Sequence, residues 1–405
     1  MILPAGAAPE ARTLLLGRAL RAFCDGYVAV LLPAYLLALG FGTWEVGVLS
    51  TATLLGSALA TLGVGAWGHR FHHRTLLLAA AALMAFTGLA FAGYSAFSAF
   101  WPLLLVAFAG TLNPSSGDVS VFLPLEHARL AEAATGEART ALFARYSLTG
   151  ALLAAVGALA AAVPDWLAGM GMDRLAALRG MFALYGGVGL LVWLLYRRIP
   201  EPPAHARPVP PASLGVSKGV VFRLAALFSV DAFAGGLVVN SLLALWLFQR
   251  FDLSMAAAGQ FFFWAGLLTA FSQLAAPWTA RRIGLLNTMV FTHIPANVCL
   301  ILAALAPTLS VALGLLLLRA LLSQMDVPTR SAFVMAVVTP PERAAAASFT
   351  AVPRSLAAAV SPSLGGAMFA AGWLAAPLVA CGLLKIGYDL ALWRAFRRAR
   401  HVPEA

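Results

Sequence analysis

The segment Leu76-Leu-Leu-Ala-Ala-Ala-Ala-Leu-Met-Ala-Phe-Thr-Gly-Leu-Ala-Phe-Ala92 carries no charged side chain, and Arg70 and Arg74 precede it. A helix rises about 1.5 Å per residue, so about 20 residues of this kind cross the hydrocarbon core of a bilayer. The strands of a membrane barrel would instead alternate between apolar and polar residues. The segment therefore predicts a helix that spans a membrane.

The composition extends this prediction to the whole chain of 405 residues. Hydrophobic residues make up 61% of the sequence and charged residues 11%, against about 25% charged in a soluble protein. The formal net charge is +11, but the basic residues form short clusters between apolar segments. This distribution does not build the basic face of a nucleic-acid-binding domain. We therefore expect the lipid bilayer as a partner and no nucleic acid.

Further apolar segments follow along the chain and together predict twelve transmembrane helices. Their predicted ranges are 13–38, 44–67, 74–95, 99–122, 140–163, 178–198, 220–248, 256–279, 285–306, 308–337, 344–371 and 373–395. Lys and Arg are concentrated in alternate loops and at both ends, whereas the opposite loops hold only Arg174, Arg179 and Arg250. By the positive-inside rule, we expect a multi-pass protein of a bacterial-type inner membrane with both termini in the cytoplasm.

A proline-rich stretch divides the chain. Residues 199–219 contain six prolines, which prevent a continuous helix. We interpret this stretch as a cytoplasmic linker between an N-terminal half (1–198) and a C-terminal half (220–405), each with six helices.

The two halves share landmarks in the same order. Gly47 precedes Arg70 by 23 residues, and Gly259 precedes Arg282 by the same number. Three further pairs occupy corresponding places: Trp67 and Trp278, Asp25 and Asp231, and Arg145 and Arg354. Four such matches indicate an internal duplication, and repeats of this kind place a binding site near the bilayer midplane.

The loop after the second span resembles a pattern of the major facilitator superfamily, Gly-x-x-x-Asp-Arg-x-Gly-Arg-Arg/Lys. Here it reads Gly65-Ala-Trp-Gly-His-Arg70-Phe-His-His-Arg74, so His69 replaces the acid. The resemblance implies an all-α membrane fold of two pseudo-symmetric six-helix bundles. It also implies an inside gate at this loop, with Arg70 and Arg282 as gate residues. Span five lacks the Gly-Pro pair typical of drug–proton antiporters, which argues modestly against a multidrug exporter.

Acidic residues inside predicted spans are costly and are therefore candidates for substrate or proton binding. Asp25 lies near the middle of span one, and Asp231 is its counterpart in span seven. Each could carry a proton or bind a cationic substrate. Each could also form a structural salt bridge, as Asp25 would with Arg21. Asn240, further along span seven, could bind substrate or bond to a neighbouring helix.

Spans four and ten are both interrupted by proline, at Pro114 and Pro328. Corresponding interruptions in two halves indicate a transporter's binding site. Asn113 and Asp118 in span four and Asp326 in span ten are therefore candidate contacts for substrate or an ion. As alternatives, Asp118 could pair with Arg145, Asp326 with Arg354 as gate pairs, or Asp326 with Arg330 on its own helix.

The remaining motifs predict no enzyme. The sequence has no phosphate-binding loop, nucleophile elbow or His-Glu-x-x-His pattern, and we expect no catalytic residue, cofactor or metal site. Lys385 and Asp389, four residues apart in span twelve, are expected to neutralise each other. The leading hypothesis is a monomeric secondary transporter of a small solute or ion, coupled to protons, with export slightly favoured over import. The alternative is a non-transporting sensor or partner-binding scaffold with the same bundle.

Overall fold

The computed structural model describes residues 3–4, 6–94, 99–115, 120–200 and 214–397, apart from the side chains of residues 69, 340 and 344. Within these ranges the regular secondary structure is entirely helical. The α-helices, in chain order, are α1 (Glu10–Ala38), α2 (Thr43–Trp67), α3 (His73–Ala92), α4 (Phe100–Ala109), α5 (Phe122–Glu132), α6 (Gly136–Leu159), α7 (Val163–Gly169), α8 (Arg174–Tyr196), α9 (Lys218–Gly236), α10 (Asn240–Phe251), α11 (Met255–Ile283), α12 (Leu285–Ala304), α13 (Leu309–Ser323), α14 (Asp326–Val337), α15 (Arg343–Ala370) and α16 (Ala376–Phe396). Short 3-10 turns cover Gly68–Arg70, Ala160–Ala162 and Pro340–Glu342.

Ten helical stretches in the described ranges are long and apolar enough to cross a membrane. The α9–α10 pair forms one of them, Lys218–Phe251, and the α13–α14 pair forms another, Leu309–Val337. Of the two other predicted spans, 99–122 contains α4 and ends at the first residue of α5, and 344–371 corresponds to α15. The all-helical membrane fold predicted from the apolar segments is confirmed.

Three predicted spans are broken rather than continuous. In span four, α4 ends at Ala109, and residues 110–115 that follow it are not helical. Span seven is interrupted between α9 and α10, and span ten between α13 and α14. Pro328 is the third residue of α14, in the first turn, where backbone N–H groups have no partner within the helix. The break in span ten therefore lies just before the proline, at Gln324 and Met325.

The chain forms two compact units, residues 1–204 with 239–263, and residues 205–238 with 264–405. In the first unit, α1 packs along α6, and α3 packs along α8. In the second unit, α9 packs along α15, and α12 packs along α16. Within each half, the first predicted span packs along the fifth, and the third packs along the sixth. The two units therefore share this pairing of helices, as expected for an internal duplication.

Glycines allow the helix backbones to come close together in two of these pairs. A Cβ atom at Gly26 of α1 would lie 2.0 Å from the carbonyl oxygen of Ala154 on α6. In the second unit, a Cβ atom at Gly236 of α9 would lie 2.4 Å from the carbonyl oxygen of Ala358 on α15. Only glycine lets the backbones pack at this distance.

Candidate functional site

A buried network of charges joins three helices of the second unit. Asp231 on α9 accepts a hydrogen bond at Oδ1 from Nζ of Lys385 on α16, at 2.6 Å. Its Oδ2 atom accepts one from Nη2 of Arg330 on α14, at 2.9 Å. Arg330 also pairs with Asp326 one turn earlier. All four side chains are buried, and two carboxylates balance two cations.

The guanidinium of Arg330 holds the centre of this network. It contacts both Asp231 and Asp326 and lies over the ring of Phe228, 5.2 Å from its centroid. Its Nε and Nη1 atoms have no hydrogen-bond partner in the described ranges. A buried donor without an acceptor is costly. These two N–H groups could therefore each donate a hydrogen bond to a further acceptor. The predicted internal pair between Asp326 and Arg330 is confirmed.

A second buried pair lies beside the network. Nδ1 of His293 on α12 is 3.0 Å from each carboxylate oxygen of Asp389 on α16. Lys385 lies on the same helix as Asp389, but its ammonium group contacts Asp231. The predicted neutralisation of Lys385 by Asp389 is therefore wrong, because the two side chains find closer partners on neighbouring helices.

The first unit contains its own buried charge cluster. Glu126 on α5 is fully buried, and Oε2 accepts a hydrogen bond from Nη2 of Arg21 at 2.5 Å. The hydroxyl groups of Tyr146 and Tyr196 also donate to the Glu126 carboxylate. The guanidinium of Arg21 lies 4.1 Å from the ring centroid of Phe122. Helices α1, α5, α6 and α8 thus meet at one carboxylate.

Asp25 lies close to this cluster. Asp25 and Arg21 line one small pocket together with Thr111, Ser120 and Tyr185. The pocket is polar on one side, since the Tyr185 hydroxyl lies within 2.9 Å of both the hydroxyl and the carbonyl oxygen of Thr111. The sequence-predicted Asp25 therefore belongs to the same polar region as Arg21 and Glu126.

The breaks in spans four and seven meet in the first unit. The Oδ1 atom of Asn113 accepts hydrogen bonds from the backbone and hydroxyl of Ser115, at 3.1 and 2.9 Å. The carbonyl oxygen of Pro114 accepts one from the backbone of Ser241, at 3.0 Å. Asn240, the first residue of α10, precedes Ser241. The segments of two predicted polar residues, Asn113 and Asn240, are thus brought together, whereas Asp118 lies outside the described residues.

The predicted gate arginines have different surroundings. Arg70 is exposed in the turn after α2, and the Arg282 guanidinium lies 4.1 Å from the ring centroid of Trp278. Arg145 is half-buried on α6, and Arg354 is exposed on α15. The ion pair that Asp326 forms is with Arg330 rather than with Arg354. The proposed partner of Arg145, Asp118, is not described.

Sequence reasoning missed Glu126 and His293. Glu126 follows the predicted span 99–122 and therefore lies outside the residues considered for a site. The signal that could have identified it is its position after the apolar run 119–125, which contains one serine and no charge. His293 is a lone ionisable residue in span nine, and the lone acid Asp389 in span twelve is a natural partner.

Comparisons with known proteins agree with this architecture. The model of the family described as Major Facilitator Superfamily matches residues 14–325. The uncharacterized membrane protein YJR124C of Saccharomyces cerevisiae is 24% identical over 410 residues, which cover 92% of this chain and 91% of that protein.

Solved transporter structures share the fold. A bacterial homolog of the human lysosomal transporter Spinster, in an inward-facing and unoccupied conformation, has a TM-score of 0.73 at 15% identity and covers 98% of each chain. A D-xylose–proton symporter has a TM-score of 0.74 at 16% identity and covers 97% of each chain. The family match over most of the length favours a transporter over a non-transporting scaffold. The chain therefore belongs to the major facilitator superfamily and is a membrane transporter, not an enzyme.

Proposed function

We propose that this protein is a secondary active transporter that moves a small solute by alternating access and couples the movement to protons. The observation that carries the proposal is the position of Asp231, between Lys385 and Arg330 on two other helices. Protonation of this carboxylate would remove the charge that holds both cations. One proton can therefore change the contacts among α9, α14 and α16.

The first unit offers a parallel arrangement. Asp25 and Glu126 both lie near Arg21, and Glu126 draws four helices together. A change of protonation here would also alter contacts between helices rather than within one. Such carboxylates suit a cycle in which proton binding and helix movement are linked. The fold is shared with a D-xylose–proton symporter, which supports coupling to protons by analogy.

The placement in the membrane follows from the distribution of arginine and lysine. We place the protein in a bacterial-type inner membrane with both termini and the linker 199–219 in the cytoplasm. Export is slightly favoured over import, and the working unit is proposed to be a monomer. The halves 1–198 and 220–405 are proposed as the two bodies that move against each other.

The test uses purified protein in proteoliposomes with an imposed pH gradient. A thermal-shift screen across amino acids, sugars, metals and drugs first selects solutes that raise the melting temperature. Gradient-driven accumulation of those solutes is then measured for the wild type, Asp25→Asn and Asp231→Asn. We expect both variants to lose gradient-driven accumulation while retaining a monodisperse fold.

The matched control is Asp252→Asn, because Asp252 is exposed after α10 and has a left-handed backbone that asparagine tolerates. It should accumulate solute as the wild type does. Unchanged accumulation in both test variants would refute the proton-carrying role of these carboxylates. A wild type that moves no solute in either direction would refute transport itself.

A further inference from the structure

Arg354 is a cation at membrane depth, and no acidic side chain in the described part of its unit forms an ion pair with it. It lies eleven residues after the start of α15, about 16 Å along the helix axis at the standard rise. That distance is about half of a hydrocarbon core of about 30 Å. Within the described ranges its guanidinium has neither a hydrogen bond nor an ion pair.

The nearby acids are already neutralised. Asp231 contacts Lys385 and Arg330, and Asp326 contacts Arg330. Arg354 therefore adds a positive charge beside a network that is balanced without it. A guanidinium in this position requires either water or an anion.

The helix face around Arg354 is suited to water rather than lipid. At 100° per residue, an arc of about 120° on α15 contains only arginine, serine and alanine between residues 345 and 361. All of these side chains are half-buried or exposed: Ala347, Ser348, Ala351, Arg354, Ser355 and Ala358. The arc contains no large apolar side chain that would contact acyl chains.

A separate face of α15 has the composition expected for contact with lipid. Phe349, Val360 and Leu364 are 49%, 51% and 45% exposed and lie on the side of the helix away from Ser348 and Ser355. Because the large exposed apolar side chains lie on that other face, the arc with Arg354 is the face of α15 suited to border an aqueous path.

We propose that the transported solute is a small organic anion and that its carboxylate or phosphate group binds Arg354. A guanidinium presents a planar fork of donors that matches the two oxygens of either group. The hydroxyl of Ser355, next in the chain, adds a donor on the same face. The inference rests on the proposed transport function and specifies that the transported solute is negatively charged.

The experiment identifies the solute by its chemistry. Proteoliposomes are incubated with a desalted small-molecule extract of bacterial cells under a pH gradient in each direction, and their contents are analysed by mass spectrometry. We expect the compounds that the wild type enriches over empty vesicles to carry carboxylate or phosphate groups, and their masses distinguish the two. Arg354→Gln should reduce this enrichment by about tenfold or more, as expected for the loss of one charge-assisted contact, whereas Arg354→Lys should retain part of it.

Arg394→Gln is the matched control, because Arg394 is exposed near the end of α16. It should enrich the same compounds as the wild type, and the melting temperatures of all variants are compared to exclude misfolding. Enrichment of neutral or cationic compounds would overturn the proposal while leaving transport intact. Equal enrichment of anions by Arg354→Gln would overturn it as well. If the wild type enriches nothing in either direction, the proposed transport function fails.

Discussion

The ammonium group of Lys385 lies 2.6 Å from Oδ1 of Asp231, so that an ion pair joins α16 to α9 inside the second unit. Both side chains are buried, with relative exposures of 8% and 3%. Lys385→Met should lower the stability of the protein by about 3–5 kcal/mol, because it leaves a buried carboxylate with one cation shared between two acids. The apparent melting temperature in detergent measures this loss.

Lys218 provides the control for that experiment, because it is exposed at the start of α9. Lys218→Met should melt close to the wild type. The double variant Lys385→Met, Asp231→Asn should recover part of the lost stability, since both charges are then removed. Equal melting of Lys385→Met and Lys218→Met would contradict a structural role for the pair.

The Glu126 cluster predicts a graded loss of stability in the first unit. Arg21→Met should cost about 3–5 kcal/mol, more than Tyr146→Phe, because it leaves the Glu126 carboxylate buried without its cation. Loss of the tyrosine hydroxyl removes one hydrogen bond, worth about 1.5–3 kcal/mol when its acceptor is charged. Arg12→Met, exposed on the same helix α1, should be neutral. A larger effect of Tyr146→Phe than of Arg21→Met would reverse the expected order.

His293 and Asp389 should depend on each other. His293→Leu is expected to lower the apparent melting temperature, because Asp389 then loses the hydrogen-bond partner that contacts both of its oxygens. His293→Gln, which retains a donor, should lose less. His72→Leu, in the exposed turn before α3, provides a control. If His293→Leu costs no more than His72→Leu, the pair does not stabilise the contact between α12 and α16.

Glu342 links the loop after α14 to the chain before α9. Its carboxylate accepts hydrogen bonds from the backbone N–H groups of Gly215 and Ser217 and from the Thr339 hydroxyl. Hydrogen bonding by the Ser217 side chain, then by the Gly215 N–H group and the Thr339 hydroxyl, lowers the pKa of Glu342 to about 2. A lowered pKa means that the contact is stable above the ordinary glutamate pKa and is lost as the pH falls toward about 2.

Hydrogen–deuterium exchange in peptides covering residues 214–220 measures this contact. Glu342→Gln should exchange faster than the wild type near neutral pH, and the difference should disappear as the pH approaches about 2. Glu45→Gln removes a similar acceptor from a different helix start, where Glu45 bonds the backbone of Gly42. It should leave these peptides unchanged. Equal protection in Glu342→Gln and the wild type at neutral pH would show that the carboxylate does not hold this segment.

The apolar runs predicted the ten helical stretches that are long and apolar enough to cross a membrane in the described ranges, because the bilayer demands a minimum length of apolar helix wherever the chain crosses it. Asp231 and Asp326 could be identified as candidates from the sequence, because an acidic side chain inside a span is costly. The partners of these residues were harder to predict. Spacing of four residues suggested Lys385 with Asp389, but a side chain inside a bundle pairs with the nearest charge on any helix.

Glu126 shows a different limit. It is buried in α5, a helix that begins at Phe122, the residue at which the predicted span four ends. A hydropathy pattern sets where a span fits but not where a broken helix resumes. Acids near the end of a predicted span therefore need the tertiary structure before a role can be assigned.

The contacts of Gly26 and Gly236 have a mechanical consequence. Where no methyl group fits between two helices, a small sliding or rolling movement drives backbone atoms into each other. The α1–α6 and α9–α15 pairs therefore behave as rigid struts. We therefore expect each pair to move as one piece in the proposed transport cycle, with the deformation at other places, such as the interruptions that separate α9 from α10 and α13 from α14.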